Sequence, residues 1–219
     1  VYGGELRFDG AMRPAPGGRT DIAFQGQGVA SVDGLRQARE LAELAPVLAS
    51  ASGSAPYQVM LAFRQGQADF SVTSSLQGLA MNLPAPLDKG AASVLPLRVR
   101  SGPVDINNTG DVPASNRRSL DHISIELGTA ASPVAALRYE RDVSGPQPRV
   151  LRGALQVGSA PTPQPVASPP APPQPTPAQP PPTTLALPAN GVSGTLILPR
   201  LDLDAWSAWL NRSGQTGPV

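Results

Sequence analysis

Few side chains in this chain are suited to catalysis or ligation. It holds one histidine, His122, and no cysteine. A zinc site of the usual types needs several imidazoles or thiolates converging on the ion, so His122 alone anchors none. A Ser-His-Asp triad would also have to use His122, and the sequence has no Gly-x-Ser-x-Gly elbow. The nearest run, Gly191-Val192-Ser193-Gly194, lacks the spacing. His122 falls on the polar side of an alternating stretch and reads as a surface residue. Gly26-Gln27-Gly28 is not followed by the third glycine of a dinucleotide fingerprint, and no phosphate-binding lysine lies beyond it. These read as strand and turn glycines. Asp202 and Asp204 could pair for acid–base work or hold an ion, but a strand end followed by a helix cap explains them more simply. Asn107-Asn108-Thr109 and Asn211-Arg212-Ser213 match the glycosylation acceptor triplet, a pattern frequent by chance. The expectation is no catalytic centre, no metal and no cofactor: a protein that is not an enzyme.

Bulk composition narrows the partners. Charged residues make up 15% of the 219 and the formal net charge is +1, so no basic surface exists to displace counterions from nucleic acid. Aromatics at 4% are too sparse for a base-stacking platform. No apolar run approaches the roughly 18 residues that a membrane-spanning helix requires. The first residues read as a strand already under way, with neither initiator methionine nor signal peptide, so the sequence is expected to be an internal fragment.

The elements that would position any site are mostly strands. Tyr2, Leu6 and Phe8 alternate with Glu5, Arg7 and Asp9; a loop at Pro14–Gly18 follows, and Ile22 with Phe24 opens a second strand. Tyr57, Val59, Leu61 and Phe63 alternate cleanly and lead through a turn to Phe70 and Val72. Leu79, Met81 and Leu83 form the next strand, stopped by Pro84 and Pro86. Leu95, Leu97 and Val99, then Ile123, Ile125 and Leu127, then Leu137 with Tyr139, then Leu151, Leu155 and Val157 continue the series. Short turn-rich links between successive strands predict an antiparallel meander.

One helix interrupts it. From Asp33 to about Ser50, Leu35, Ala38, Leu41, Ala42, Ala45 and Leu48 recur at helical spacing, with Arg36, Arg39, Glu40 and Glu43 on the wet side. Asp33 is the expected cap, and Pro46 is expected to kink or end the helix near Ala45. Residues 160–188 differ abruptly: twelve of 27 prolines fall between Pro161 and Pro182, and no charge occurs between Gly153 and Pro199. That composition predicts a polyproline or disordered spacer. Structure should resume in 189–219, with Val192, Gly194, Leu196 and Leu198 on a strand and Trp206, Trp209 and Leu210 on one face of a short helix.

Two stretches resemble a known family. Ser74–Lys89 is similar to a signature of the YhdP family, large AsmA-like proteins of Gram-negative bacteria, through Leu76, Gly78, Leu83, Pro84, Pro86, Leu87 and Lys89. Gly194–Trp206 resembles the family's strand-to-helix segment through Asp202, Asp204 and Trp206. The Tyr57–Phe63 hairpin before the first motif and the Arg152-Gly153 strand between the two fall in the family's order. The Pro-rich tract departs from the pattern and reads as an insertion.

The resemblance implies a mainly β fold: a twisted antiparallel sheet curled into a groove, as in chorein-type bridge proteins, with one or two short helices. Residues 1–159 and 189–219 would be stretches of that groove. It further implies a periplasmic protein anchored in the inner membrane by a helix outside this sequence, bridging inner and outer membranes. Phospholipid acyl chains would slide along the trough. Its lining is expected to be Tyr57, Val59, Leu61, Phe63, Phe70, Val72, Leu79, Met81 and Leu83, which need no polar site for affinity because each buried CH₂ contributes about 0.8 kcal/mol. The alternative is a structural β scaffold or interaction protein of the cell envelope that binds nothing small.

Overall fold

The computed structural model describes residues 2–15, 19–64, 67–104, 120–129, 133–158, 185–198 and 200–214. The Asn107-Asn108-Thr109 triplet and nearly all of the Pro-rich tract lie outside them.

Among the described residues the chain forms ten strands: β1 (Leu6–Ala15), β2 (Arg19–Ser31), β3 (Ala51–Arg64), β4 (Gln67–Ser74), β5 (Leu79–Met81), β6 (Leu97–Pro103), β7 (Leu120–Gly128), β8 (Pro133–Asp142), β9 (Arg149–Gly158) and β10 (Gly191–Ile197). They hydrogen-bond in the order β1-β2-β3-β4-β6-β7-β8-β9-β10, with β5 beside the first residues of β3. From β1 to β9 every pair is antiparallel, as a meander requires. The last is not: β10 runs parallel to β9, which corrects the all-antiparallel expectation. A parallel neighbour needs a long crossover, and 32 residues separate Gly158 from Gly191. The sheet is open, with β1 and β10 as its two outer strands.

The register sorts side chains onto two faces. One row across all nine main-path strands reads Phe8, Gly26, Val59, Val72, Val99, Ile125, Leu137, Leu155 and Gly194. One residue along, on the opposite face, the row reads Arg7, Gln27, Gln58, Thr73, Arg98, Glu126, Ala136, Gln156 and Thr195. The sheet is therefore apolar on one side and polar on the other across a span of about 38 Å at 4.8 Å per strand.

The single helix predicted over Asp33–Ser50 is three short pieces: α1 (Val32–Arg36), a 3-10 turn (Arg39–Leu44) and α2 (Ala45–Ala49). Ser31, not Asp33, caps α1; its hydroxyl accepts the Gly34 N–H at 3.1 Å. Arg36 is not simply a wet-side residue. Its guanidinium donates to the Leu48 and Ala51 carbonyls at 2.8 and 2.9 Å, which folds α1 back onto the end of α2 and the start of β3. On the face expected to be apolar, Leu48 is buried, but Ala42 and Ala45 are exposed. A fourth helix-like piece, α3 (Leu203–Gly214), follows β10.

These short elements gather at one end of the sheet, where β2 finishes and β3 begins. There Val32, Ala51, Ala55, Leu79, Met81, Leu83 and Trp209 form a closed apolar cluster.

Candidate functional site

Among the described residues, no group of three or more His, Cys, Asp or Glu side chains could hold a metal ion. His122 is half-buried on β7, its Nδ1 lying 3.2 Å from the Pro103 carbonyl. The larger charged contacts are structural. Glu140, only 4% exposed, accepts from Arg152 Nε at 2.7 Å across β8 and β9. Asp121 accepts from Arg141 Nε at 2.8 Å across β7 and β8. Nη2 donates to the other carboxylate oxygen, and this hydrogen bonding to Asp121 raises the Arg141 pKa above its ordinary value. What remains distinctive is the apolar face and the way its end is closed.

The nine residues expected to line a trough fall into two groups. Tyr57, Val59 and Leu61 on β3, with Phe70 and Val72 on β4, share the apolar face and are half-buried; Phe63 shares it and is exposed. No described helix or strand lies over Val59 and Leu61, and their neighbours on the opposite face, Gln58 and Met60, are exposed. The shielding of Val59 and Leu61 thus comes from side chains of their own face. Glycine lets them close up: a Cβ on Gly26 would lie 2.8 Å from both the Phe8 ring and Val59 Cγ1. Leu79, Met81 and Leu83 belong elsewhere. At 7–9% exposed they are buried in the cluster at the sheet's end.

Tyr57 stands between the two groups. Its hydroxyl is buried without a hydrogen-bond partner among the described residues, and burial raises its pKa above 10.0.

The residues that carry the family resemblance meet at the closed end. Gly78, at φ +95°, passes its backbone beside β3; the Ser54 N–H donates to its carbonyl at 3.2 Å, and a Cβ there would sit 2.4 Å from the Ser54 oxygen. Leu76 and Leu87 pack on the buried cluster beside Leu83. Pro84 and Pro86 lie in the turn after Leu83, where the Leu87 N–H donates to the Pro84 carbonyl at 3.1 Å. Lys89, 7% exposed, donates from Nζ to the carbonyls of Leu79 (2.7 Å) and Gly90 (3.0 Å), and burial lowers its pKa. Its ammonium satisfies backbone oxygens under the β5 turn, a structural role.

The second motif reaches the first across the chain. Asp202 Oδ1 accepts the Ala205 N–H at 2.9 Å and caps α3, as the sequence suggested, while Asp204 is exposed in its first turn. Trp206 Nε1 then donates to the Ala85 carbonyl at 3.2 Å, and Trp209 Nε1 to Ser50 Oγ at 2.8 Å. The two indoles stand edge to face, 5.8 Å apart. Leu210, expected on the same face, is 57% exposed. The closed end is thus built from α2, the β5 turn and α3 together. Sequence reasoning found these residues but not their meeting, since nothing local pairs Trp209 with Ser50.

On the polar face, a cavity of about 990 Å³ opens near the same end, with Arg7, Gln27, Gln58, Thr73, Arg98 and Glu126 in its lining. Val29, Pro56, Pro96 and Leu97 line it beside these amides, hydroxyls and opposite charges, so its wall is mixed. No helix among the described residues is long and apolar enough to cross a membrane. Neither a family model, a curated protein nor a solved structure matches this chain.

Proposed function

We propose that this chain is a structural segment of an open β scaffold, an interaction protein of the bacterial cell envelope that performs no chemistry and holds no small ligand. The observation that carries this reading is the apolar row from Phe8 to Leu155, which no second layer covers among the described residues. Sheets that keep one apolar face open do so to receive another surface. Placement in the periplasm, with an inner-membrane anchor outside this sequence, rests on the resemblance of residues 74–89 and 194–206.

A second reading has its own support. The apolar rows cross the sheet from β1 to β10, and the buried cluster covers that face only where β2 finishes and β3 begins; the uncovered remainder suits phospholipid acyl chains in transit between membranes. Photo-crosslinking residues at Val59 and Val72, compared with Gln58 and Thr73 on the other face, separate the two. The scaffold reading expects protein adducts at Val59 and Val72 and none with phospholipid. Phospholipid captured at Val59 and Val72 alone transfers the assignment to the conduit. Equal labelling of both faces removes the open face as a functional surface.

A further inference from the structure

The two outer strands of the sheet differ. β1 carries Arg7 and Asp9 along its length and has Arg13-Pro14 near its end, the devices that keep an edge from pairing with another chain. β10, Gly-Val-Ser-Gly-Thr-Leu-Ile, has no charge and no proline. Among the described residues it is hydrogen-bonded to β9 alone, and no strand there pairs with the other side of its backbone. Its side chains from Gly191 to Leu196 are all exposed, Val192 at 73% and Leu196 at 62%. An unguarded edge of seven residues is a template for one more strand.

The sequence of β10 says which strand. About Gly194 it is nearly a palindrome: Ser193 and Thr195 flank the glycine, and Val192 and Leu196 flank those. An antiparallel pairing of β10 with itself, centred on Gly194, sets Val192 of one copy opposite Leu196 of the other. It sets Ser193 opposite Thr195. Both are favourable cross-strand pairs, one apolar and one hydroxyl to hydroxyl. The twofold axis stands perpendicular to the sheet, so like faces stay on like sides. Val192, Gly194 and Leu196 lie on the apolar face by register with Gly153, Leu155 and Val157, and the partner's residues continue that face. No described residue lies within 4 Å of where a Gly194 Cβ would be, so the described part of a single chain gives no steric reason for glycine at this mid-strand position.

We propose that β10 is a homodimerisation edge, joining two copies of this chain antiparallel about Gly194 into one continuous sheet with a shared apolar face. The proposal rests on the scaffold reading and supplies its first partner, a second copy.

The test uses the whole chain. Ser193→Lys with Thr195→Lys sets two lysines opposite two lysines in the dimer, and Ser193→Glu with Thr195→Glu does the same with carboxylates; both sites are exposed, so each variant keeps its fold. Sedimentation should show a dimer for the parent, at least tenfold weaker self-association for either variant, and a restored dimer on mixing the two. Because the chain has no cysteine, Gly194→Cys reports register without background. Facing Cα atoms in an antiparallel pair are roughly 4.5–5.5 Å apart, within disulfide reach, whereas Gly191→Cys would lie about 20 Å from its mate. Oxidation should link the first and not the second. A parent that stays monomeric across the concentration range, or a lysine variant that dimerises unchanged, overturns the proposal. Protein adducts at Val59 alongside a monomeric parent would retire the β10 edge alone and leave the scaffold reading standing.

Discussion

The closed end of the sheet and its open field are made from the same kinds of residue, yet they reach burial by different routes. At the closed end, Leu79, Met81 and Leu83 are packed between β3, the α1–α2 turns and the Trp209 indole, and each is below a tenth exposed. In the open field, Val59, Leu137 and Ile125 have only their own face for company and stay half-buried. Alternation alone makes a sheet; a second layer makes a core. The difference teaches that most of this chain's apolar surface is organised without being enclosed.

The sharpest way to break that contrast is a matched pair of truncations. Leu79→Ala should cost about 3 kcal/mol, the usual loss when a buried leucine leaves a cavity, whereas Leu137→Ala should cost about 1 kcal/mol. Urea denaturation of the two variants measures both; equal losses would mean that the open field is packed as tightly as the closed end. Tyr57, at the boundary, gives a smaller effect of opposite sign. Removing its partnerless hydroxyl in Tyr57→Phe should stabilise by about 1 kcal/mol, since the buried group gains no hydrogen bond for the water it loses. A destabilised Tyr57→Phe would place a partner on that oxygen and extend the closed region to β3's middle.

The smallest effect is a slope. Burial lowers the Lys89 pKa below 10.5, so between the folded value and 10.5 the unfolded chain binds more protons than the folded one. Stability from this group therefore rises with pH through that window and is at its lowest below the folded value. Thermal melts of Lys89→Met against the parent across alkaline pH should show the slope reduced in the variant. An unchanged slope would mean that the ammonium is not held under the β5 turn.

Much of the sheet was legible because period-two alternation is a local property. The β3–β4 hairpin and β7 could be read from Tyr57–Val72 and Ile123–Leu127, and the amphipathic face follows from their pattern. The capping of α3 by Asp202 was legible for the same reason. The helix over Asp33–Ser50 misled: its apolar spacing is real, but Arg36 finds better acceptors in the Leu48 and Ala51 carbonyls than in water, and Gly34 lies where the Tyr2 backbone passes close. Long-range contacts overruled local periodicity there. The parallel β9–β10 pair was invisible, since alternation reports which side a residue faces and not which way its neighbour runs. Grouping Leu79, Met81 and Leu83 with the β3 row failed to separate core from open face, because both look alike until α3 is folded over one of them.

The tie between α3 and the closed end also sets an order of events. Trp209 and Ser50 are separated by 159 residues, and Trp206 and Ala85 by 121. Closing loops of that length carries an entropic cost that hairpins such as β3–β4 avoid, so sequence-local pairs form early and the indole contacts form late. During synthesis, strands β1 to β9 are made before the tryptophans that seal their end exist, and Leu79, Met81 and Leu83 wait unsealed. Helix α3, translated after β1 to β10, is the one that finishes the first part of the core.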